Sequence, residues 1–202
     1  DSRITYLKNI KNFGLPRTLN SGIKLAKGDF ITWTSHDNLY KKNALETMLN
    51  VIIETNSDFV YSDCVVIDSC DKKIGFLKSK PIEYLIFGNI VHACFLYRKA
   101  IHNTLGFYQN EMILIEDFDF WIRCALNFKM KNINRVLYKF RFHDSSLTHS
   151  ITRSISKKET FRKNKKKMYQ KLIRFGRMPD DYLIPFLISP KEAMTISLKD
   201  RS

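Results

Sequence analysis

Four consecutive polar residues, Ser35-His36-Asp37-Asn38, close an apolar and β-branched run that begins at Phe30. A turn needs only one or two such residues, so the cluster has two readings. One is a turn held by side-chain-to-backbone hydrogen bonds. The other is a binding loop in which Asp37 ligates Mg2+ or Mn2+, hard ions that take one or two protein carboxylates and complete their shell with substrate phosphates. A second acidic pair, Glu116-Asp117, opens the segment IEDFDFWIRC. Carboxylates favour a helix N-terminus, and Asp119 and Arg123 are spaced to pair on the helix surface. His143 follows a β-patterned run, where a lone histidine is ordinarily structural.

These residues must be positioned by regular elements. Residues 3–7 alternate and are β-branched, which predicts a short strand. Gly14 and Pro16 mark a turn, Leu19, Ile23 and Ala26 recur at helical spacing, and Gly28 is expected to cap that helix. Residues 29–35 read as a buried strand, and Ala44, Leu45, Met48, Leu49, Ile52 and Ile53 as a helical stripe with Asn43 at its start. Further strands are expected over 58–68, in the IGFL run, and over 92–98 and 133–142. An amphipathic helix carries Phe118, Trp121, Ile122, Ala125 and Leu126. Strands alternating with helices predict a parallel α/β sheet, the later strands pairing antiparallel at its edge. Ligands of such sheets bind beyond the carboxyl ends of the strands, where the Ser35–Asn38 cluster falls. Trp33 and Trp121 read as core, and Asp63 as an exposed strand residue.

Composition narrows the classes. The 202 residues are 44% hydrophobic and 27% charged, which is globular and long enough for one domain with an appendage. No apolar run is long enough to span a membrane, and DSRITYLKNIKN lacks the apolar core of a signal peptide. The cysteines form no Cys-x-x-Cys pair and read as free thiols in a reducing cytosol. Of the 34 basic residues, eleven lie in 151–178 beside one acidic residue, so the net charge of +14 is concentrated late. That distribution argues against a nucleic-acid-binding face. Within 157–174, Phe161, Lys165, Met168 and Leu172 fall near one helical face. This segment reads either as a solvated basic helix packed on the domain or as an interfacial helix on anionic lipid. The apolar YLIPFLI at 182–188 is too short to cross a bilayer. The expected division is a domain over 1–150 and a basic helical extension over 151–202.

The run NFGLPRTLNSGIKLAKGDFITWTSHDN resembles the middle of a family 2 glycosyltransferase of the GT-A fold. Asn12, Gly14, Asn20, Gly22, Ala26 and Gly28 match the family's Asn-x-Gly turn, Asn-x-Gly helix start and Ala-x-Gly helix end. IEDFDFWIRC resembles its Glu-Asp helix, and YKFRFHDSSLT its Tyr-x-x-Arg-x-His segment. The resemblance implies a GT-A-like mixed sheet flanked by helices, with Asp117 as catalytic base and Asp37 and His143 as metal ligands. It implies donor contacts from Ser35, Asp37 and Asn20, and acceptor contacts from Asn89 and Glu116, with His92 nearby. Gly106 matches a Gly-aromatic turn.

Two departures accompany the match. Ser35 stands where the family usually has the first Asp of its Asp-x-Asp motif. The chain also opens at what corresponds to the third strand of the family, so the front of the catalytic domain is expected to be missing. The resemblance implies an inverting transfer from a nucleotide-sugar, a UDP-sugar, to a glycan or lipid-linked glycan in surface polysaccharide or glycolipid synthesis. The expected location is cytoplasmic, peripheral on the inner face of the membrane. The alternative is an inactive, truncated domain acting as a binding module.

Overall fold

The computed structural model describes residues 1–144 and 146–174. In chain order they form α1 (Leu15–Leu25), β1 (Phe30–Ile31), β2 (Leu39–Tyr40), α2 (Ala44–Thr55), β3 (Phe59–Ile67), β4 (Lys73–Leu77) and a 3-10 helix (Ile82–Phe87). There follow β5 (Phe95–Arg98), α3 (Ile101–Leu105), α4 (Glu116–Ala125), β6 (Met130–Arg141), α5 (Leu147–Arg153) and α6 (Ile155–Arg174). Residues 175–202, with the YLIPFLI run, lie outside the described residues.

Strand β3 explains the layering. Successive side chains of a strand face opposite sides of its sheet. Phe59 and Tyr61 join one buried cluster, and Val60 and Cys64 the other. Strand β5 repeats the division with Phe95 and Tyr97 against Leu96. Strands apolar on both faces require cover on both faces. Ala44, Met48 and Ile52 of α2 cover one side, and α1, α4 and α6 bring Ile23, Trp121 and Met168 to the other. Trp121 is fully buried, with ring centroids 4.9 Å from Phe59 and 4.6 Å from Phe95. Its predicted core role holds. Trp33 is only half-buried.

The sheet runs β1-β5-β3-β6-β2, with β4 also beside β3. It is mixed, but differently from the expectation. Only β3 and β6 are parallel, and antiparallel β5 lies inside the sheet instead of at its edge. The reason is the connection: β3 reaches β5 through β4 and a 3-10 helix, without the crossover helix that parallel pairing needs. Strands β1 and β3 are each antiparallel to β5, so β1, β3 and β6 share one direction. The loop after β1, the chain after β6 and the entry to β5 therefore meet at one carboxyl edge.

Several local expectations change. Residues 3–7 are not a strand; Ile4, Tyr6 and Leu7 are exposed, and alternation without a neighbouring ladder does not make one. The strand expected over 29–35 pairs only at Phe30 and Ile31; beyond them the Thr32 and Thr34 hydroxyls meet those of Tyr40 and Tyr138. Helix α1 ends at Ala26, which is extended, so Gly28 is not its left-handed cap. Asn43 precedes α2 without a capping side-chain bond, while Asn56 closes that helix in the left-handed region at φ 48°.

The basic helix is no free appendage. Met168 and Tyr169 of α6 are buried, and Phe161 and Leu172 pack against the same core. Asn164 donates to the Ile113 carbonyl at 2.9 Å, and the Tyr169 hydroxyl to the Ile86 carbonyl at 2.8 Å. The apolar face considered for lipid thus faces protein. Lys158, Arg162, Lys163, Lys166 and Lys167 are exposed on the outside with one acid, Glu159. Among the described residues no helix is long and apolar enough to cross a membrane.

Candidate active site

At the carboxyl edge the chain encloses a cavity of about 650 Å³. That size lies within the usual range of small-molecule sites. Ser35, Asp37, Asn89, Glu116, Asp117 and His143 all line it. Residues from four separate stretches of sequence are brought together there by three loops and the start of α4.

The loop after β1 is fixed by Arg141, at the end of β6. Its backbone N–H donates to Oδ1 of Asn38 at 2.8 Å, and its guanidinium donates to the Asp37 and Asp68 carbonyls and to the Asp71 carboxylate. Two residues on, Nε2 of His143 lies 2.7 Å from Oδ2 of Asp37. Burial raises the Asp37 pKa, but the His143 hydrogen bond and nearby positive charge outweigh it and leave it lowered. Oδ1 of Asp37 is buried with no hydrogen-bond partner among the described residues. An orphaned carboxylate oxygen beside an imidazole is a donor set that suits a divalent ion. Among the described residues, no group of three or more His, Cys, Asp or Glu residues stands ready to hold a metal.

Across the cavity, Asp117 sits in the first turn of α4. Its Oδ1 accepts the Phe118 N–H at 2.7 Å and its Oδ2 accepts Nδ2 of Asn89 at 3.1 Å. Burial raises its pKa, partly opposed by these hydrogen bonds. Glu116 is 5% exposed, and its Oε2 has no hydrogen-bond partner among the described residues. Burial first, and the Asp117 charge second, push its pKa up to about 7. Asp119, the third carboxylate of that turn, is structural. It accepts Nε of Arg123 at 2.9 Å, as the four-residue spacing predicts, and Arg123 also holds the Leu105 and Phe107 carbonyls.

One expected site residue stays outside. Asn20 donates to the Tyr108 carbonyl at 2.8 Å and accepts the Tyr108 N–H at 3.0 Å, so its amide is spent joining α1 to the turn after Gly106. Tyr108 in turn accepts Nε1 of Trp33 at 2.9 Å, and Trp33 lines the cavity. Asn20 therefore reaches the site only through two other residues. Asp63 faces inward to Ser79 instead of lying exposed, with both the backbone N–H and the hydroxyl of Ser79 donating to it. The roles of Arg141 and Trp33 were missed in the sequence, although Arg141 lies within the YKFRFH run.

The family model of glycosyl transferase family 2 matches residues 1–114. The chain belongs to glycosyl transferase family 2. Its similarity to individual relatives is lower. This family 2 chain is 26% identical over 161 residues to an uncharacterized glycosyltransferase of Rickettsia typhi, covering 74% of itself and 51% of that protein. It is 26% identical over 159 residues to the uncharacterized glycosyltransferase YwdF of Bacillus subtilis, covering 74% and 58%. It spans about half the length of the curated relatives it matches. Among solved structures, S. aureus TarS in complex with UDP-GlcNAc superposes with a TM-score of 0.64 at 16% identity, covering 86% of this chain and 51% of that one. The likeness establishes the mixed α/β GT-A fold.

Proposed function

We propose that this family 2 chain is the catalytic part of an inverting glycosyltransferase that moves a sugar from a UDP-sugar to a hydroxyl on a surface glycan or glycolipid. The observation that carries the reading is the pairing of two prepared carboxylates in one cavity, Asp37 with His143 and Asp117 with Asn89. Asp117 accepts the proton of the acceptor hydroxyl as its oxygen attacks the anomeric carbon from the face opposite the nucleotide. The bond from that carbon to the diphosphate oxygen breaks, its electron pair leaves with the diphosphate, and the anomeric configuration inverts. A buried base with a raised pKa is better matched to a hydroxyl proton than an exposed carboxylate.

Asp37 and His143 are the residues that would hold Mg2+ or Mn2+. The ion supplies positive charge against what builds up on the departing diphosphate. Ser35 offers a hydroxyl, without charge, to the donor ribose. Glu116, with an unengaged oxygen in the cavity, contacts the acceptor. Structures of TarS with UDP and with UDP-GlcNAc support a donor of this class. The basic outer face of α6 complements an anionic lipid surface, which suits work on a lipid-linked acceptor at the inner face of the membrane.

The test is product configuration, read by NMR after reaction of the full-length protein with UDP-sugars. Inversion is expected, and Asp117→Asn should lower kcat by roughly 10²-fold or more while donor Kd stays within about twofold. Retention of configuration, or full activity of Asp117→Asn, overturns the mechanism. Donor binding without any turnover would instead make the chain a binding module.

A further inference from the structure

We propose that Asn89 and His92 are positioning residues that aim the Asp117 carboxylate, so that the base is set through a relay anchored on β3. This deepens the reading of Asp117 as the base and rests on it.

The relay begins with the orientation of one amide. Oδ1 of Asn89 accepts the backbone N–H groups of Val91 and His92, each at 3.2 Å. A backbone N–H only donates, so the atom facing both must be the amide oxygen. The amide nitrogen is then the atom left to face Oδ2 of Asp117 at 3.1 Å, and a flipped amide would break three bonds at once. Asn89 is therefore an obligatory donor toward a carboxylate that must accept. With the Phe118 N–H on the other oxygen, both ends of the carboxylate are held. One of the two Nδ2 hydrogens is committed to Asp117 and the oxygen to the turn.

The turn that presents those two N–H groups is itself held. His92 adopts φ 59°, a left-handed conformation uncommon outside glycine. Its ring Nε2 lies 3.2 Å from the Lys78 carbonyl. A carbonyl only accepts, so Nε2 carries the proton, and burial favours the neutral ring this tautomer needs. The next residue, Ser79, donates through its N–H and hydroxyl to Oδ1 of Asp63, at 2.8 and 2.7 Å. Asp63 belongs to β3, the strand buried on both faces. The connection thus runs from β3 through Ser79 and the Lys78 carbonyl to His92, then Asn89, then Asp117. Each link is a hydrogen bond or a single peptide step.

The other ionisable groups around Asp117 are Glu116 beside it, and His36, Asp37, His92, Arg141 and His143 lining the same cavity. Of these only His92 lies in the relay, so Asn89→Ala leaves their number unchanged and His92→Gly removes one.

The experiment is an NMR titration of the full-length protein carrying 13C-carboxyl aspartate. Asp117 is assigned by the signal lost in Asp117→Asn. In Asn89→Ala the Asp117 midpoint should rise by about one pH unit, since a bond favouring the ionised form is lost. In Asn89→Asp it should rise further, because a carboxylate then faces a carboxylate. His92→Gly accepts the left-handed backbone but lacks the ring, and should shift the midpoint in the same direction as Asn89→Ala. An unmoved Asp117 midpoint in Asn89→Ala or in His92→Gly overturns the relay. A measurement on the unmodified turn guards against misfolded variants: the Asn89 side-chain amide protons should shift in Asp117→Asn, and no shift also overturns it. If the midpoints move but Asp117→Asn keeps full transferase activity, the relay stands and the assignment of the base falls.

Discussion

His143 and Asp37 are separated by 106 positions in sequence, yet Nε2 of one lies 2.7 Å from Oδ2 of the other. The contact exists because β1 and β6 run in the same direction and both release their chains at one edge of the sheet. It holds one oxygen of a lowered-pKa carboxylate and leaves the other buried and unengaged among the described residues. Asp37→Ala should therefore weaken Mn2+ binding by about tenfold or more, measured by electron paramagnetic resonance with nucleotide present. His143→Ala should weaken it less. Unchanged Mn2+ affinity in Asp37→Ala would remove the metal site.

Glu116 makes a prediction about stability. Its pKa stands at about 7 in the folded protein against an ordinary 4.5. Across that window the native state keeps a proton that the unfolded chain releases, so stability falls as pH rises from 4.5 to 7. Above the window the cost is constant; below it the cost vanishes. Glu116→Gln should flatten this contribution and stabilise the protein on the order of 1–3 kcal/mol well above neutrality, with no gain in acid. Equal effects in acid and base, followed by denaturant unfolding, would contradict the raised pKa.

Asn20 separates structure from recognition. Losing its two bonds to Tyr108 should cost on the order of 1–2 kcal/mol in Asn20→Ala, seen as a lower unfolding midpoint. Donor affinity, measured by calorimetry on the folded variant, should stay unchanged. A selective loss of donor binding at full stability would restore the role expected from the sequence.

The outer face of α6 makes an electrostatic prediction. Replacing Lys163, Lys166 and Lys167 by Gln should release the protein from anionic vesicles by roughly two orders of magnitude, at about 1 kcal/mol per charge near the surface. Thermal stability should hardly change, because these side chains are exposed. Met168→Ala should do the reverse, lowering stability by about 2–5 kcal/mol while vesicle binding of the folded fraction persists. Salt-independent binding, or binding unaffected by the triple change, would exclude lipid as the partner of this face.

The sequence revealed more of the chemistry than of the architecture. Asp37, Glu116, Asp117 and His143 each had a structural use by pattern alone and were singled out through the family resemblance of the runs that carry them; the structure brings all four to one cavity. Helices α2 and α4 were legible from their apolar stripes. Pairing was not: nothing in FLYR says that β5 returns antiparallel inside the sheet, since direction is set by the length and course of the connection. Residues 3–7 alternate like a strand, but alternation describes two faces and does not supply a neighbour. Asn20 misled because the helix start expected there lies at Leu15, and an asparagine inside α1 fits both a ligand contact and a tie to a neighbouring turn. Only the position of Tyr108 decides between them.

Helix α6 has a second consequence, apart from its charge. Two of its inward hydrogen bonds end on the carbonyls of Ile86 and Ile113. Each of those residues lies three positions ahead of a site residue, Asn89 in one loop and Glu116 in the other. One rod therefore fastens both segments that frame the base. A load applied to its outer surface reaches the two together, and loosening it would release both at once. The order of both segments beside Asp117 thus depends on the same twenty residues.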